Sequence, residues 1–215
     1  MEDRFKGQQE DIVFRLTDMF EGMSAEEIDD AVKQAKERST SVNKEVYKNE
    51  LAEQFDFQMA TLHFHRYPDV ILEGFRNQRH HVLNFAFKLK IRPDHIPFVP
   101  VVTRDFMGLC GLMQMVRNKT EEGFTRLFPA DLTNSVDVPQ APYFIYDVED
   151  GHWVRGMSTA QAEEVFRQKH RFGLTADECI NLCIHTPGLL PKHSMLCTDS
   201  RYGMNPARVP GIAPQ

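Results

Sequence analysis

The glycines and prolines of this chain are distributed unevenly, and this distribution restricts the fold more than any other feature of the sequence. Residues 1–92 contain three glycines and one proline, whereas residues 93–215 contain nine glycines and eleven prolines. These residue types end helices and shape turns. We therefore predict an α+β fold in which a helical N-terminal half packs on a C-terminal half with a small sheet and short helices. The two halves, 1–92 and 93–215, form either two regions or one continuous domain.

The N-terminal half is predicted to consist of helices. Ser24 and Glu27 have the spacing of a capping box, in which each side chain bonds the backbone N–H of the other residue. Residues 44–67 are rich in aromatic side chains and are typical of one or two further helices. Residues 68–89 place apolar residues, Phe85 among them, every three or four positions. This spacing predicts one amphipathic helix of about six turns.

The C-terminal half is predicted to alternate strands with short helices. Residues 95–103 are typical of an edge strand because they include two prolines. Residues 106–118 indicate a buried helix. Residues 143–148 give the clearest strand, and the Asp-Gly pair that follows predicts a hairpin with residues 152–155.

Two further helices have predicted starting points in this half. Ser158 is a typical N-cap, and Thr175 with Glu178 has the capping-box spacing. The second helix is expected to reach His185, because Pro187 prevents its continuation.

The composition is that of an ordinary globular protein, with 41% hydrophobic and 26% charged residues. The longest stretch without a charged side chain covers residues 179–191, too short to cross a bilayer. The first residues lack the apolar segment of a secretory signal. The four cysteines form no dense framework. We therefore expect a cytosolic protein with reduced thiols and no membrane contact.

Charge is segregated along the chain. Net charge is −7 over residues 1–60, +5 over residues 61–119 and −4 over residues 120–215. The basic central segment also carries five of the nine histidines. One interpretation is that it binds nucleic acid or another anion. The alternative is that it packs against the acidic N-terminal helices, and the net negative charge of the chain favours this alternative.

Common catalytic and metal-binding motifs do not occur in the sequence. It has no glycine-rich phosphate loop, no nucleophile elbow and no Cys-x-x-Cys or His-Glu-x-x-His pattern. Cys179 and Cys183 are four residues apart, but they share a helix face with apolar neighbours, as core residues do. We therefore expect no cofactor and no metal. Whether the protein is an enzyme stays open.

The segment 185–203 is the richest in residues that could bind a ligand. It contains His185, His193, Ser200 and Arg201. A rigid loop with these groups could hold the carboxylate or phosphate of a small anionic molecule. The alternative is that the same groups bond to the loop backbone. His185 is predicted at a helix C-terminus, where the helix dipole favours a protonated ring and a raised pKa.

Four segments of the sequence resemble a family of bacterial proteins that are grouped only as a domain of unknown function. The segments are PYFIYDVEDG (142–151), LTADECINLCIHTPGLLPKH (174–193), SRYG (200–203) and RVP (208–210). The resemblance implies a related fold and a bacterial, cytosolic protein, and it implies no chemistry. The matching positions are Pro142, Tyr143, Asp147, Leu174, Thr175, Glu178, His185, Pro187, Ser200, Arg201, Gly203, Val209 and Pro210.

Three functional hypotheses follow from the sequence. The first is a binding or interaction protein without catalytic activity, and the second is an enzyme or binding domain that uses the 185–203 loop. The third is a nucleic-acid-associated protein that uses residues 61–119. We also predict a homodimer through residues 44–89, because their aromatic side chains, Phe87 included, exceed what one helix face can bury.

Overall fold

The fold was determined as a computed structural model that describes residues 25–89, 91–92, 95–118, 121–190, 194–203, 205 and 207–213, with the side chains described from residue 43 onward. The chain divides into two compact units, Met1–Asn49 and Glu50–Gln215. The described part of the first unit is helical throughout. The predicted capping residue Ser24 and the ligand candidate His193 lie outside the described residues.

The described residues contain seven α-helices. They are α1 (Ala25–Phe64), α2 (Asp69–Asn77), α3 (Arg79–Leu89), α4 (Arg104–Met107), α5 (Leu109–Met115), α6 (Thr159–Gln168) and α7 (Ala176–His185). Two short 3₁₀ helices cover Pro129–Asp131 and His152–Val154.

The strands form four antiparallel pairs. The strands are β1 (Ile96–Val101), β2 (Arg117–Asn118), β3 (Glu121–Glu122), β4 (Leu132–Asn134), β5 (Tyr143–Val148), β6 (Met195–Leu196), β7 (Ser200–Tyr202) and β8 (Gly211–Ile212). The pairs are β1 with β5, β2 with β3, β4 with β7 and β6 with β8. The predicted α+β class, with helices concentrated in the N-terminal half, is confirmed. No helix among the described residues is both long enough and apolar enough to cross a membrane.

Helix α1 replaces the separate helices predicted before residue 67. Its last turns bury one face, with Leu51, Phe55, Met59 and Leu62 almost inaccessible to solvent. Gln58 is buried on the same face, where its Nε2 donates a hydrogen bond of 2.7 Å to the carbonyl of Phe98 in β1. The helix therefore packs on the β1–β5 sheet through apolar contacts and one polar bond.

The predicted helix over residues 68–89 is broken at Gln78. The N–H of Gln78 bonds to the carbonyl of Phe75, and its side chain donates to the carbonyl of Gly74. After this break, α3 buries Val82 and Ala86 instead of the predicted Phe85. Phe85, predicted on the buried stripe, is 42% exposed. Its ring makes an edge-to-face contact with Tyr146 of β5, with the ring centroids 4.7 Å apart.

The predicted β-hairpin is wrong. Strand β5 was predicted correctly, but its partner is β1, with Ile96 opposite Val148 and Val101 opposite Tyr143. Gly151 after β5 adopts a left-handed conformation with φ of 74°, and the chain enters a 3₁₀ turn instead of a second strand. The predicted strand at residues 95–103 is thus β1, and its prolines lie in a two-stranded sheet, where every strand is an edge.

Helix α7 is buried along its whole length. Its capping box was predicted correctly, since Thr175 and Glu178 exchange the expected bonds. Asn181 bonds both the N–H and the carbonyl of Val102, just after β1. Asp177 accepts from the backbone and the guanidinium of Arg104 at 3.2 and 2.8 Å. Polar side chains thus connect the helix to the end of the strand.

Candidate ligand-binding cleft

A cleft of about 800 Å³ opens on the surface of the second unit. It is lined mainly by residues 145–157 and 170–174, and its other walls come from α6, the first turn of α7, and residues 194–198. We call it the cleft below. Its volume lies within the range of roughly 300–1,000 Å³ that small-molecule sites occupy.

One side of the cleft is aromatic. Trp153, the only tryptophan of the chain, packs against Phe166 of α6, with ring centroids 5.7 Å apart. The ammonium group of Lys169 lies 4.0 Å from the centre of the Trp153 ring. Phe172 is 86% exposed, so it presents an open aromatic face at the cleft wall.

The indole N–H of Trp153 is buried and has no hydrogen-bond partner among the described residues. A buried donor without a partner costs about 1–3 kcal/mol. The nitrogen has almost no accessible surface, so a ligand acceptor atom reaches this donor once the Trp153 ring shifts. Trp153 therefore combines an apolar surface with one hydrogen-bond donor at the cleft.

A network of charged groups forms a second wall. His95 Nδ1 lies 2.6 Å from Asp147 Oδ1, and Arg171 donates to the other carboxylate oxygen and to the carbonyl of Asp147. Arg171 Nε also lies 3.1 Å from Glu149. Burial alone raises the pKa of Asp147, but the hydrogen bonds from His95 and Arg171 outweigh burial and hold this pKa below its ordinary value. The Asp147 carboxylate is therefore ionised, and both of its oxygens are bonded to His95 or Arg171.

The floor of the cleft includes Glu178 and Cys179 from the first turn of α7. Glu178 accepts from Thr175 and from the Tyr143 hydroxyl at 3.0 Å. Burial and the Glu178 carboxylate raise the pKa of Tyr143, so its hydroxyl keeps its proton. Contact with Cys197 and burial raise the pKa of Cys179 well above its ordinary value. The Cys179 thiol is therefore neutral and a poor nucleophile.

The loop at Gly173 lies directly on residues 198–199. A Cβ at Gly173 would lie 2.0 Å from Thr198 Oγ1, so no larger residue fits without movement. The N–H of Asp199 donates to the carbonyl of Leu174 at 3.1 Å. Two further lining residues, Asp147 and His170, have positive φ of 55° and 54°. Such conformations are uncommon outside glycine and are often found at functional sites.

Of the predicted ligand residues that the structure describes, Ser200 and Arg201 are neighbours, and His185 lies apart from them. Ser200 is fully buried at the start of α7, where its hydroxyl accepts from the N–H of Ala176 at 2.8 Å and donates to Asn134 at 2.9 Å. Arg201 donates to the carbonyls of Thr198 and Ser200 and to the Glu163 carboxylate. His185 lies at the opposite end of α7, about 14 Å from Ala176 at 1.5 Å per residue.

The predicted protonated state of His185 is wrong. The side chain is 6% exposed, and neither ring nitrogen has a partner among the described residues. Burial, and to a smaller extent the neighbouring His65, lower the pKa of His185 to about 3. The helix dipole argument fails here because the ring is removed from water, and desolvation of the charged form dominates.

The 185–203 loop nevertheless contributes Ser194–Leu196 and Thr198 to the cleft. Sequence reasoning missed Trp153, because the sequence predicts residues 152–155 as a strand, and it also missed Phe172. A lone tryptophan between Gly151 and Gly156, in a segment without helical spacing, is the signal that could have identified them. Among the described residues, no group of three or more His, Cys, Asp and Glu side chains could hold a metal ion.

Comparison with known proteins adds a family and no activity. No curated protein and no solved structure matches the chain. One family profile covers residues 58–213, which include the four segments that carried the resemblance. The chain therefore belongs to a family of unknown function (DUF5701).

Proposed function

We propose that the protein is a ligand-binding protein without catalytic activity, and that its site is the cleft. The observation that carries this proposal is the buried indole N–H of Trp153, without a partner among the described residues, in an aromatic wall of an 800 Å³ cleft. Pockets that combine apolar walls with a few polar groups are typical of small-molecule sites. With a small shift of the Trp153 ring, a ligand acceptor atom would satisfy this donor.

The polar groups of the cleft support binding over catalysis. Each lining carboxylate already has a partner within the protein, since Asp147 and Glu149 contact Arg171, Asp150 contacts His152, and Glu178 contacts Tyr143. A carboxylate whose ionised form is stabilised by an ion pair or a hydrogen bond is a weaker general base than a free one. These carboxylates instead hold the walls in place.

The charge of the lining indicates which ligands fit. Four carboxylates and two arginines line the cleft, so it carries more negative than positive charge. This balance favours an uncharged or cationic molecule, in contrast to the anionic ligand predicted from the 185–203 loop. We therefore propose a largely apolar ligand with one hydrogen-bond acceptor.

The nucleic-acid hypothesis receives less support than the cleft. Three arginines of the basic segment 61–119 form ion pairs within the protein: Arg79 with Asp56, Arg104 with Asp177, and Arg117 with Glu122. Paired guanidinium groups contribute less to phosphate binding than unpaired ones. This pattern supports the alternative that the segment is neutralised within the chain.

The proposal is tested by a fragment screen that uses the fluorescence of Trp153, which reports on the cleft alone because the chain has one tryptophan. Compounds that change this emission are then measured by calorimetry. Substitution Trp153→Phe removes the donor and should weaken acceptor-bearing compounds about fivefold, the effect of one hydrogen bond.

A matched pair of substitutions separates the cleft from general effects. Phe172→Glu places a charge on the exposed aromatic face and should weaken binding about tenfold or more, because the ligand loses an apolar contact. Phe128→Glu changes a phenylalanine that is also exposed and that lies outside the cleft, and it should leave affinity unchanged. Equal affinities for both variants would place the site elsewhere, and turnover of a bound compound would refute the absence of catalysis.

A further inference from the structure

A second cavity, of about 330 Å³, opens on the second unit beside α5 and α7. Of the described residues, none lines both this cavity and the cleft. The buried part of its lining is apolar and includes Leu109 of α5 together with Ala176 and Ile180 of α7. Its volume falls at the lower end of the range of roughly 300–1,000 Å³ that small-molecule sites occupy. We call it the second pocket.

The charged side chains that line the second pocket are both arginines. Arg126 comes from the segment 124–127 and Arg208 from the segment 208–212, and both are exposed to solvent. No aspartate or glutamate of the described residues lines this pocket. Neither guanidinium group has an ion pair or a hydrogen bond within the described part of the chain, whereas Arg171 at the cleft is paired with two carboxylates. The second pocket therefore carries positive charge that no neighbouring carboxylate compensates.

Aromatic side chains hold both arginines at the second pocket. The guanidinium carbon of Arg126 lies 5.8 Å from the centroid of the Phe124 ring, and that of Arg208 lies 4.9 Å from the centroid of the Tyr202 ring. The N–H of Tyr202 also donates to the carbonyl of Arg208 at 2.9 Å. A guanidinium group over a ring keeps its N–H donors in its own plane, where they can bond to an anion. These contacts thus position the two arginines and leave their donors available.

We propose that the second pocket binds a small molecule with an apolar body and one carboxylate. The buried apolar lining would take the body, and Arg126 and Arg208 would bond to the carboxylate. The planar guanidinium fork matches the two oxygens of a carboxylate, and such charge-assisted hydrogen bonds are roughly twice as strong as neutral ones. This ligand differs in charge from the one proposed for the cleft, and the two proposals depend on different residues.

The first test is a titration of the full chain with benzoate, followed by the methyl resonances of its isoleucines in NMR spectra. Ile180 and Ile212 line the second pocket, and Ile145 lines the cleft. Benzoate should shift the resonances of Ile180 and Ile212 and leave that of Ile145 in place. For a ligand of this size we expect a dissociation constant of about 1 mM or below.

Two further compounds separate the charge from the apolar body. Benzamide has the same shape as benzoate without the charge, and it should bind about tenfold more weakly because it loses the charge-assisted bonds. Inorganic phosphate has charge without an apolar body and should also bind about tenfold more weakly. Equal affinity of benzoate and either compound would overturn the proposal. So would unchanged Ile180 and Ile212 resonances at about 10 mM benzoate, ten times the expected constant.

Arginine substitutions test the two groups that would hold the carboxylate. Arg126→Gln and Arg208→Gln should each weaken benzoate about tenfold, the effect of losing a hydrogen bond to a charged group. Arg155→Gln is the matched control, because Arg155 is also exposed but lines the cleft. It should leave the affinity for benzoate unchanged. Equal effects of all three substitutions would overturn the proposal, as would unchanged affinity in both variants of the second pocket.

A phenylalanine pair tests the aromatic wall. Phe124→Gln removes the ring beneath Arg126 and should weaken benzoate severalfold, because the ligand loses apolar contact and the arginine loses its support. Phe128→Gln changes an exposed phenylalanine outside the second pocket and should leave the affinity unchanged. Equal affinities of these two variants for benzoate would count against the pocket. Trp153 and Phe172 of the cleft do not line the second pocket, so the failure of one proposal is distinguishable from the failure of the other.

Discussion

Replacement of His185 by leucine is predicted to remove a large part of the acid sensitivity of this protein. The ring is buried with its pKa lowered to about 3, whereas an unfolded chain titrates histidine near 6.5. At pH 5 the unfolded chain therefore binds a proton at this position and the folded protein does not. Stability that depends on the neutral ring is complete above pH 6.5 and is lost as the pH falls toward 3.

The magnitude follows from the two pKa values. Between pH 7 and pH 5, the preferential protonation of the unfolded chain at His185 costs about 2 kcal/mol of unfolding free energy. His185→Leu should lack this loss. At pH 7 the substitution should be close to neutral or stabilising, because it removes two buried ring nitrogens that have no partner among the described residues.

The assay is urea unfolding at pH 7 and pH 5, followed by circular dichroism at one protein concentration. Between pH 7 and pH 5, the unfolding free energy of the parent should fall by about 2 kcal/mol more than that of His185→Leu. His81→Leu changes an exposed histidine and should behave as the parent. The pKa of His65 is also lowered, by burial and by Arg117, and His65 is unchanged in all three proteins. Equal losses in the parent and His185→Leu would refute the reasoning, as would an NMR titration of His185 above pH 6.

The other predictions concern contacts that hold the fold. Ser200→Ala leaves the N–H of Ala176 and the amide oxygen of Asn134 without the hydroxyl and should cost about 1–3 kcal/mol in urea unfolding. Ser158→Ala, which removes an exposed helix cap, should cost about 1 kcal/mol. Gly173→Ala should lower the melting temperature, because the new Cβ would overlap Thr198. Gly74→Ala in α2 meets open space and should raise stability by up to about 1 kcal/mol. A rise in melting temperature for Gly173→Ala would contradict the close approach of the two cleft walls.

The parts of the fold that were predicted correctly depend on local chemistry. The Thr175–Glu178 capping box is satisfied within four residues, so the sequence alone predicts it. The pairing of β5 with β1 could not be predicted in this way. The two strands lie more than forty residues apart in the chain, and no local pattern specifies their pairing. The break at Gln78 also escaped prediction, since it consists of one side-chain bond and one shifted backbone bond that leave the apolar spacing unchanged.

The burial of α7 explains why sequence reasoning treats the polar residues around this helix as available to a ligand. Its sequence contains Asp177, Glu178 and Asn181, and such polar residues normally indicate a solvent-exposed face. In this protein they bond to Arg104, Tyr143 and the backbone of Val102 instead. These polar groups therefore already have hydrogen-bond partners within the protein. Sequence reasoning cannot distinguish a polar residue with a distant partner in the chain from one that is available to a ligand.

The residues that carry the family resemblance can be interpreted in the same way. Thr175 and Glu178 cap α7, Ser200 bonds its first turn, and Arg201 connects its neighbouring loop to α6. These bonds define how α7 is enclosed, and none of them points a free group into the cleft. The shared segments thus specify a scaffold around one buried helix, and the segment 142–151 also forms part of the cleft wall. The groups that a ligand would meet, above all Trp153, lie in the turn between β5 and α6, and a search for the ligand should begin from that turn.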